Sequence, residues 1–215
     1  MNIYAYHTDD KSRKLVHIDE WVVLYHPKTD GKCRICHEAV YVRAAASQKQ
    51  THFAHYHNSA CPTVKENHKP YESLSSLPRD PSLALAAKKW LRDNIVNAYE
   101  KIRKFPDSLQ WLEFHKLIDT ANKLDIWSLK DMPFDCIPYV LLMCTEKFEK
   151  TKYRKRECFF VLEPSPEKTG LWNNNGFYKQ YLWEVTLPSR DVIHHEIMLD
   201  TPTAWYIEKA NKLLE

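Results

Sequence analysis

Apolar and polar residues alternate over positions 1–6 and 14–18, which predicts two short strands, and the apolar run WVVLY at 21–25 predicts a third. The turn sequence His26-Pro27-Lys28-Thr29-Asp30-Gly31 follows. Positions 39–44 and 50–52 then alternate well enough to form a β-hairpin. At 62–79 the chain changes character, because PTVKENHKPYESLSSLPR has the Pro, Ser, Lys and Glu content of a linker. A domain boundary is expected over 66–80, with a small β-rich module before it.

Beyond the linker the period lengthens. Asp80-Pro81 reads as an N-cap followed by proline in the first helical turn, where the missing N–H costs nothing. Leu83, Ala87, Leu91, Ile95, Ala98 and Ile102 recur at three- and four-residue steps, predicting one helix that Phe105-Pro106 ends. Lys88, Arg92 and Arg103, with Tyr99 between them, line its other side, as a solvated face or as a track for a phosphate backbone. Leu109, Leu112, Ile118 and Ala121 place a second helix over 107–124. The runs 137–144, 158–162, 181–187 and 192–199 are short, β-branched and aromatic, and predict a sheet of about four strands. Thr201-Pro202 repeats the helix start and leads into a last helix carrying Trp205, Ala210 and Leu213. The expected fold class is α+β, with a β-rich module over 1–65, the linker, and an α+β domain over 81–215.

Composition narrows the function classes. With 215 residues and 44% hydrophobic content the chain can bury a core, yet no stretch is apolar enough to span a membrane. Net charge is only +3, so any surface for nucleic acid must be local. The 3 glycines, Gly31, Gly170 and Gly176, are too few and too scattered for a phosphate-binding loop or a dinucleotide fingerprint. The first residues lack the basic and apolar regions of a signal peptide, which leads to the expectation of a cytoplasmic location. Cys136, Cys144 and Cys158 lie in apolar runs and read as buried, reduced thiols.

The remaining cysteines carry the strongest chemical signal. Cys33 and Cys36 form a C-x2-C knuckle, a turn that aims two thiolates at one tetrahedral ion, and His52, His55 and Cys61 follow after the hairpin. Four ligands are needed and five are on offer. Cys33, Cys36, His55 and Cys61 are the expected set, with His52 as the alternative histidine and His57 behind both. A surplus of soft ligands favours a closed, structural zinc site, since a catalytic zinc keeps one position open for water.

Cys33-Arg34-Ile35-Cys36, then His52-Phe53-Ala54-His55, five residues and Cys61, resembles the amino-terminal zinc module of the competence protein CoiA family. The resemblance covers roughly the first 65 residues. It implies a following nuclease-like domain with a restriction-endonuclease-like core, a role in DNA uptake and recombination, and DNA as the favoured partner. A nuclease of that kind holds Mg2+ between two acids on adjacent strands, with a lysine beside them. Here Glu163 and Glu184 are the candidate acids, and Asp125 and Asp135 are substitutes for Glu163. The lysine expected two positions after the second acid is Thr186, so the expected domain is nuclease-like without a complete catalytic set. Mg2+ enters only if an active nuclease is the right alternative. His194 and His195, adjacent in a strand, should point to opposite faces and cannot act as one pair.

Positions 147–156 hold the densest positive charge, KFEKTKYRKR, in a connection expected to be hairpin-like. Lys150, Lys152, Arg154, Lys155 and Arg156 would meet phosphates there, and Tyr153 or Phe148 could stack on a base. A solubilising hairpin tip is the plain alternative. The expectation is a nucleic-acid-associated zinc protein, against an active nuclease or a protein-interaction subunit whose zinc is architectural.

Overall fold

The computed structural model describes residues 2–8, 14–26, 28–43, 50–59, 61, 63–64, 72–164, 171–172, 179–189, 191–197 and 205–213. The fold is α+β, as the patterning implies, and it is organised around a three-stranded antiparallel sheet of order β6-β7-β8, formed by Glu157–Leu162, Tyr181–Leu187 and Val192–Glu196. Register pairs Phe160 with Glu184 and Leu162 with Leu182. Successive side chains on a strand point to opposite faces. Cys158, Phe160, Leu162 and Leu182 therefore join a core of helices. Phe159, Val161, Trp183 and Val185 join the core of the amino-terminal module on the other face. Both faces of β6 and β7 are covered, which is why these strands read as nearly unbroken apolar runs.

The amino-terminal layer is a five-stranded antiparallel sheet of order β2-β1-β3-β4-β5. Its strands are β1 Tyr4–His7, β2 Leu15–His17, β3 Gly31–Cys33, β4 Ala39–Arg43 and β5 His52–His55. The run at 21–25 is not a strand: Ile18–Leu24 form helix α1. The His17 side chain caps it by accepting from the Asp19 N–H, and Asp19 and Glu20 lie in the first turn, where the helix dipole favours acids. Ile18 and Trp21 are buried on its inner side while Val23 and Leu24 stay exposed. Gly31 in β3 has no space for a side chain, since a Cβ would lie 2.9 Å from Ala5 Cβ and 3.0 Å from the Trp21 ring.

On the other side of the central sheet the predicted long helix is two. Asp80 accepts from the Ser82 N–H as expected, but a 3-10 turn precedes α3 (Ala84–Asp93), and Asn94 separates it from α4 (Ile95–Ile102). The Asn94 side chain donates to the Trp90 carbonyl, a local bond of the kind by which asparagine competes with helix continuation. The buried stripe nonetheless continues across the break through Ala87, Leu91, Ala98 and Ile102. Next comes α5 (Trp111–Lys123), within the span predicted for the second helix.

The run at 137–144 is also not a strand. Ile137–Leu142 form a helix, α6, with Pro138 in its first turn and every residue buried. A short, wholly apolar run fits a buried helix as well as a buried strand, so the sheet has three strands among the described residues. Part of the expected linker is ordered: Leu74 of the short helix α2 (Glu72–Ser75) is buried in the helical core, and the Asp80 N–H bonds to Ser128 O. The residues between 64 and 72 lie outside the described set. So does Thr201-Pro202, although a last helix, Trp205–Asn211, follows it, with Ala210 and Leu213 exposed. No helix among the described residues is long and apolar enough to cross a membrane.

Candidate functional site

The knuckle begins where β3 ends. The His37 N–H bonds to Cys33 O and the Cys33 N–H to Glu38 O, folding Cys33 to Cys36 into a tight turn and sending the chain into β4. His37 takes the left-handed conformation at φ 60, a position where glycine is the usual residue. From the other direction, β4 and β5 pair with Val40 opposite His55, so His55 arrives on the terminal residue of β5 beside the knuckle. The next loop turns at Asn58 with φ 68, and Ser59 ties it down by accepting from the Cys61 N–H and donating to the Glu38 carboxylate. These local bonds bring the ligand atoms of Cys33, Cys36, His55 and Cys61 within 4.8 Å of one another, a grouping that can hold a metal ion. His52 is not in the cluster. Its Nδ1 is 2.9 Å from Gln50 O, and His57 is exposed.

Electrostatics within the cluster follow from crowding. Burial opposes a charge on His55, but hydrogen bonds to Cys33 and Cys61 outweigh it and push the imidazole up to about 10. Hydrogen bonds from Cys33, Cys36 and His55 push the Cys61 thiol down, whereas Cys36, bonded to Cys33 and Cys61 and also buried, is pushed up. Three thiols so close cannot all ionise unaided, because each further negative charge is repelled by the last. A divalent cation among them removes that repulsion, and the donor set of three sulfurs and one imidazole suits a soft or borderline metal. Arg34, inside the knuckle, adds a buried positive charge. Burial lowers it to about 10 while the neighbouring Cys33 opposes the shift, and its guanidinium lies 5.1 Å from the Trp183 ring.

The two candidate nuclease acids do not meet. Glu163 follows β6 on the side of the amino-terminal module, fully buried, where Oε1 accepts from the Tyr6 hydroxyl at 3.0 Å and lies 3.0 Å from His37 Nε2. Glu184 lies on the opposite face of the central sheet, with Oε2 2.9 Å from His195 Nε2. Register explains it: Glu184 pairs with Phe160, three residues before Glu163, and odd spacing on a strand changes the face. Asp125 and Asp135 sit at 3-10 turns of the helical layer, on no strand. Thr186 is buried, its hydroxyl 3.0 Å from Ser189 Oγ and 3.1 Å from Asp191 O. His194 and His195 do face opposite ways, His194 lying against Tyr181 and Trp183. Burial and then Glu184 push the Cys158 thiol up to about 12, and burial raises Cys136 and Cys144 to about 12 as well.

The basic segment joins α6 to β6 and is partly self-neutralised. Phe148 bridges Cys158, and the Thr151 N–H bonds to Arg154 O, making a closed loop. Arg154 is not a surface cation: it is 1% exposed and forks onto Glu113 with Nη1 and Nη2 at 3.0 and 2.8 Å from the two carboxylate oxygens. It also donates to Glu149 O and lies 5.1 Å from the Phe148 ring. Lys147 pairs with Glu149 and Glu157. Lys150, Lys152, Lys155 and Arg156 remain exposed, with Tyr153 54% exposed and Lys152 Nζ 4.7 Å from its ring. On the helices, Tyr99 does not extend the stripe of Lys88, Arg92 and Arg103. Its ring lies against Trp111 and Phe114, and its hydroxyl donates to Leu109 O.

Two features escape a reading of the sequence. His37, which joins the knuckle to Glu163, is signalled only by standing directly after C-x2-C, where a left-handed residue is needed. Tyr41, Arg43 and Tyr56 share an outer surface beside His55 that strand alternation alone does not mark as functional. Comparison with protein-family models, with curated proteins and with solved structures finds no match to this chain.

Proposed function

We propose that the chain is a zinc-stabilised nucleic-acid-binding protein that binds without cutting. The observation that carries this reading is the loop at 147–156. Arg154 anchors it from beneath through Glu113, and four cations and Tyr153 stand outward on the anchored turn. A charged surface held in one shape loses less freedom on binding than a mobile tip. Zinc is the ion the donor set favours, because thiolates about 2.3 Å from a tetrahedral zinc stand roughly 3.8 Å apart, within the span of the cluster. The ion would hold the module together. The resemblance of the first 65 residues to the CoiA module favours DNA as the target. The separation of Glu163 from Glu184 by the central sheet supports binding without cleavage.

The test is the salt dependence of oligonucleotide binding, followed by anisotropy. Lys152, Lys155 and Arg156 replaced together by serine should lower the slope of log affinity against log salt by roughly two to three units and leave the fold unchanged. Tyr153→Ala should weaken single-stranded binding more than duplex binding. An unchanged slope would return the loop to a solubilising role and favour a protein-interaction subunit.

A further inference from the structure

We propose that the open groove beside His55, on the outer surface of the β4-β5 hairpin, is a second contact for single-stranded nucleic acid, with an unpaired base on Tyr56 and phosphates on Lys28 and Arg43. It rests on the reading of the chain as a nucleic-acid binder and adds a surface distinct from the 147–156 loop.

The groove has a volume of about 1130 Å³ and is bounded by the turn after α1, by β4, and by the end of β5 with the loop beyond it. Tyr41 and Tyr56 stand together in it, ring centroids 5.0 Å apart and planes at 46°. Tyr56 is 51% exposed, yet its hydroxyl donates to Asp30, 2.9 and 2.8 Å from the two carboxylate oxygens. An exposed aromatic ring tethered at its polar end is held in place with apolar surface open, which is what a stacking platform for a base requires. The cations suit the backbone of the same ligand. Lys28 and Arg43 are exposed, and neither has a carboxylate partner among the described residues. Asp30 is the opposing charge in the groove, and the Tyr56 hydroxyl already occupies it.

A duplex keeps its bases stacked on one another, so a side chain that stacks on a base selects a single strand. The groove is open and lined about equally by polar and apolar surface, unlike the enclosed, mostly apolar cavities that take small molecules. His55 lines the groove, so this surface adjoins the Cys/His cluster.

The experiment uses the full chain and two oligonucleotides of equal length, oligo(dT) and the same backbone made abasic, with binding followed by anisotropy and metal content and circular dichroism as folding controls. Tyr56→Ala should weaken oligo(dT) binding roughly five- to a hundred-fold and leave abasic binding unchanged, whereas Tyr56→Phe, which keeps the ring but loses its tether to Asp30, should lose less than Tyr56→Ala. Lys28→Ser with Arg43→Ser should lower the salt slope for both ligands by about one to one and a half units. The charge variant decides the matter if Tyr56→Ala loses its metal. Unchanged oligo(dT) binding in the groove variants, with loss in the 147–156 loop variant, overturns the groove and leaves the loop standing. Loss in the groove variants alone upholds the groove and removes the loop. No binding by the wild-type chain overturns both.

Discussion

The two layers that clasp the central sheet are held by different means. On the helical side, α3 to α6 bury Leu91, Ile102, Phe114, Trp127 and the whole of α6 into one broad apolar core. The amino-terminal side has strands of three to five residues and a smaller core, four of whose buried members, Phe159, Val161, Trp183 and Val185, belong to the central sheet. Its own apolar residues are supplemented by the cluster of Cys33, Cys36, His55 and Cys61. A layer too thin to bury much surface would gain order from an ion held at such a cluster, while a thick layer gains it from area removed from water. The central sheet serves both, and its two buried glutamates mark the difference. Glu163 ties the sheet to Tyr6 and His37 of the amino-terminal layer, and Glu184 faces His195 and Cys158 on the helical face.

The contrast should break most visibly at the Cys/His cluster. Cys36→Ser, or a strong chelator, should remove on the order of 10 kcal/mol from the amino-terminal layer. In hydrogen exchange the amides of β1 to β5 should then lose protection while those of α5 and α6 keep it. Equal loss in both layers would show that the helical core depends on its neighbour and is not self-sufficient.

Within the helical layer the corresponding weak point is Arg154. Arg154 is buried but the Glu113 side chain is 26% exposed and can turn to water, so Arg154→Ala should cost about 1.5–3 kcal/mol in chemical denaturation, and Arg154→Met less because it keeps apolar contact. The metal content should not change. A cost below about 1 kcal/mol would mean that the 147–156 loop is not anchored as described.

A smaller effect sharpens the role of the sheet itself. Glu163→Gln weakens the bonds to Tyr6 and His37 and should cost about 1–3 kcal/mol, with the loss appearing in the amino-terminal layer. The wild-type chain should not cleave DNA with Mg2+ or Mn2+, since Glu163 and Glu184 are kept apart by the sheet. Metal-dependent cleavage abolished by both Glu163→Gln and Glu184→Gln, in variants that remain folded, would contradict the separation of the two faces.

The smallest expected effect is one of pH. Burial raises the Glu113 carboxyl, but the hydrogen bonds from Arg154 and from the Gln110 N–H outweigh it and hold the group below the ordinary glutamate range. A carboxylate with a depressed folded pKa contributes stability that is present above the unfolded value of about 4.3 and is lost as pH falls through the folded value. The stability deficit of Glu113→Gln should therefore be greatest near neutral pH and shrink as the medium is acidified below about 4. A deficit independent of pH would make the interaction one of packing and not of charge.

Short-range features are legible in the amino acids alone. The Asp80-Pro81 start depends on the bonds of neighbouring residues, as does the choice of four residues that could share an ion, since a knuckle and a hairpin return are short-range devices. Strands β6 and β7 are legible from their β-branched and aromatic runs. Helices α1 and α6 are not. WVVLY favours extension by composition, and the structure places Trp21 to Leu24 in a helix because His17 caps the segment and Trp21 has a pocket against β3. For α6, a run buried on all sides carries no period, so nothing in its pattern separates helix from strand.

By itself, the sequence determined the α+β class, the residues able to gather around one ion, and the position of the densest cationic segment, because each follows from spacing along the chain or from composition. Only the tertiary structure decided that Glu163 and Glu184 lie on opposite faces, that Arg154 is buried against Glu113, and that Tyr41, Tyr56 and Arg43 line one groove. Those outcomes depend on strand register and on which distant segments come into contact. Side-chain parity flips with a shift of one residue in pairing, and a cation is a surface contact or a buried anchor according to whether a carboxylate far along the chain reaches it.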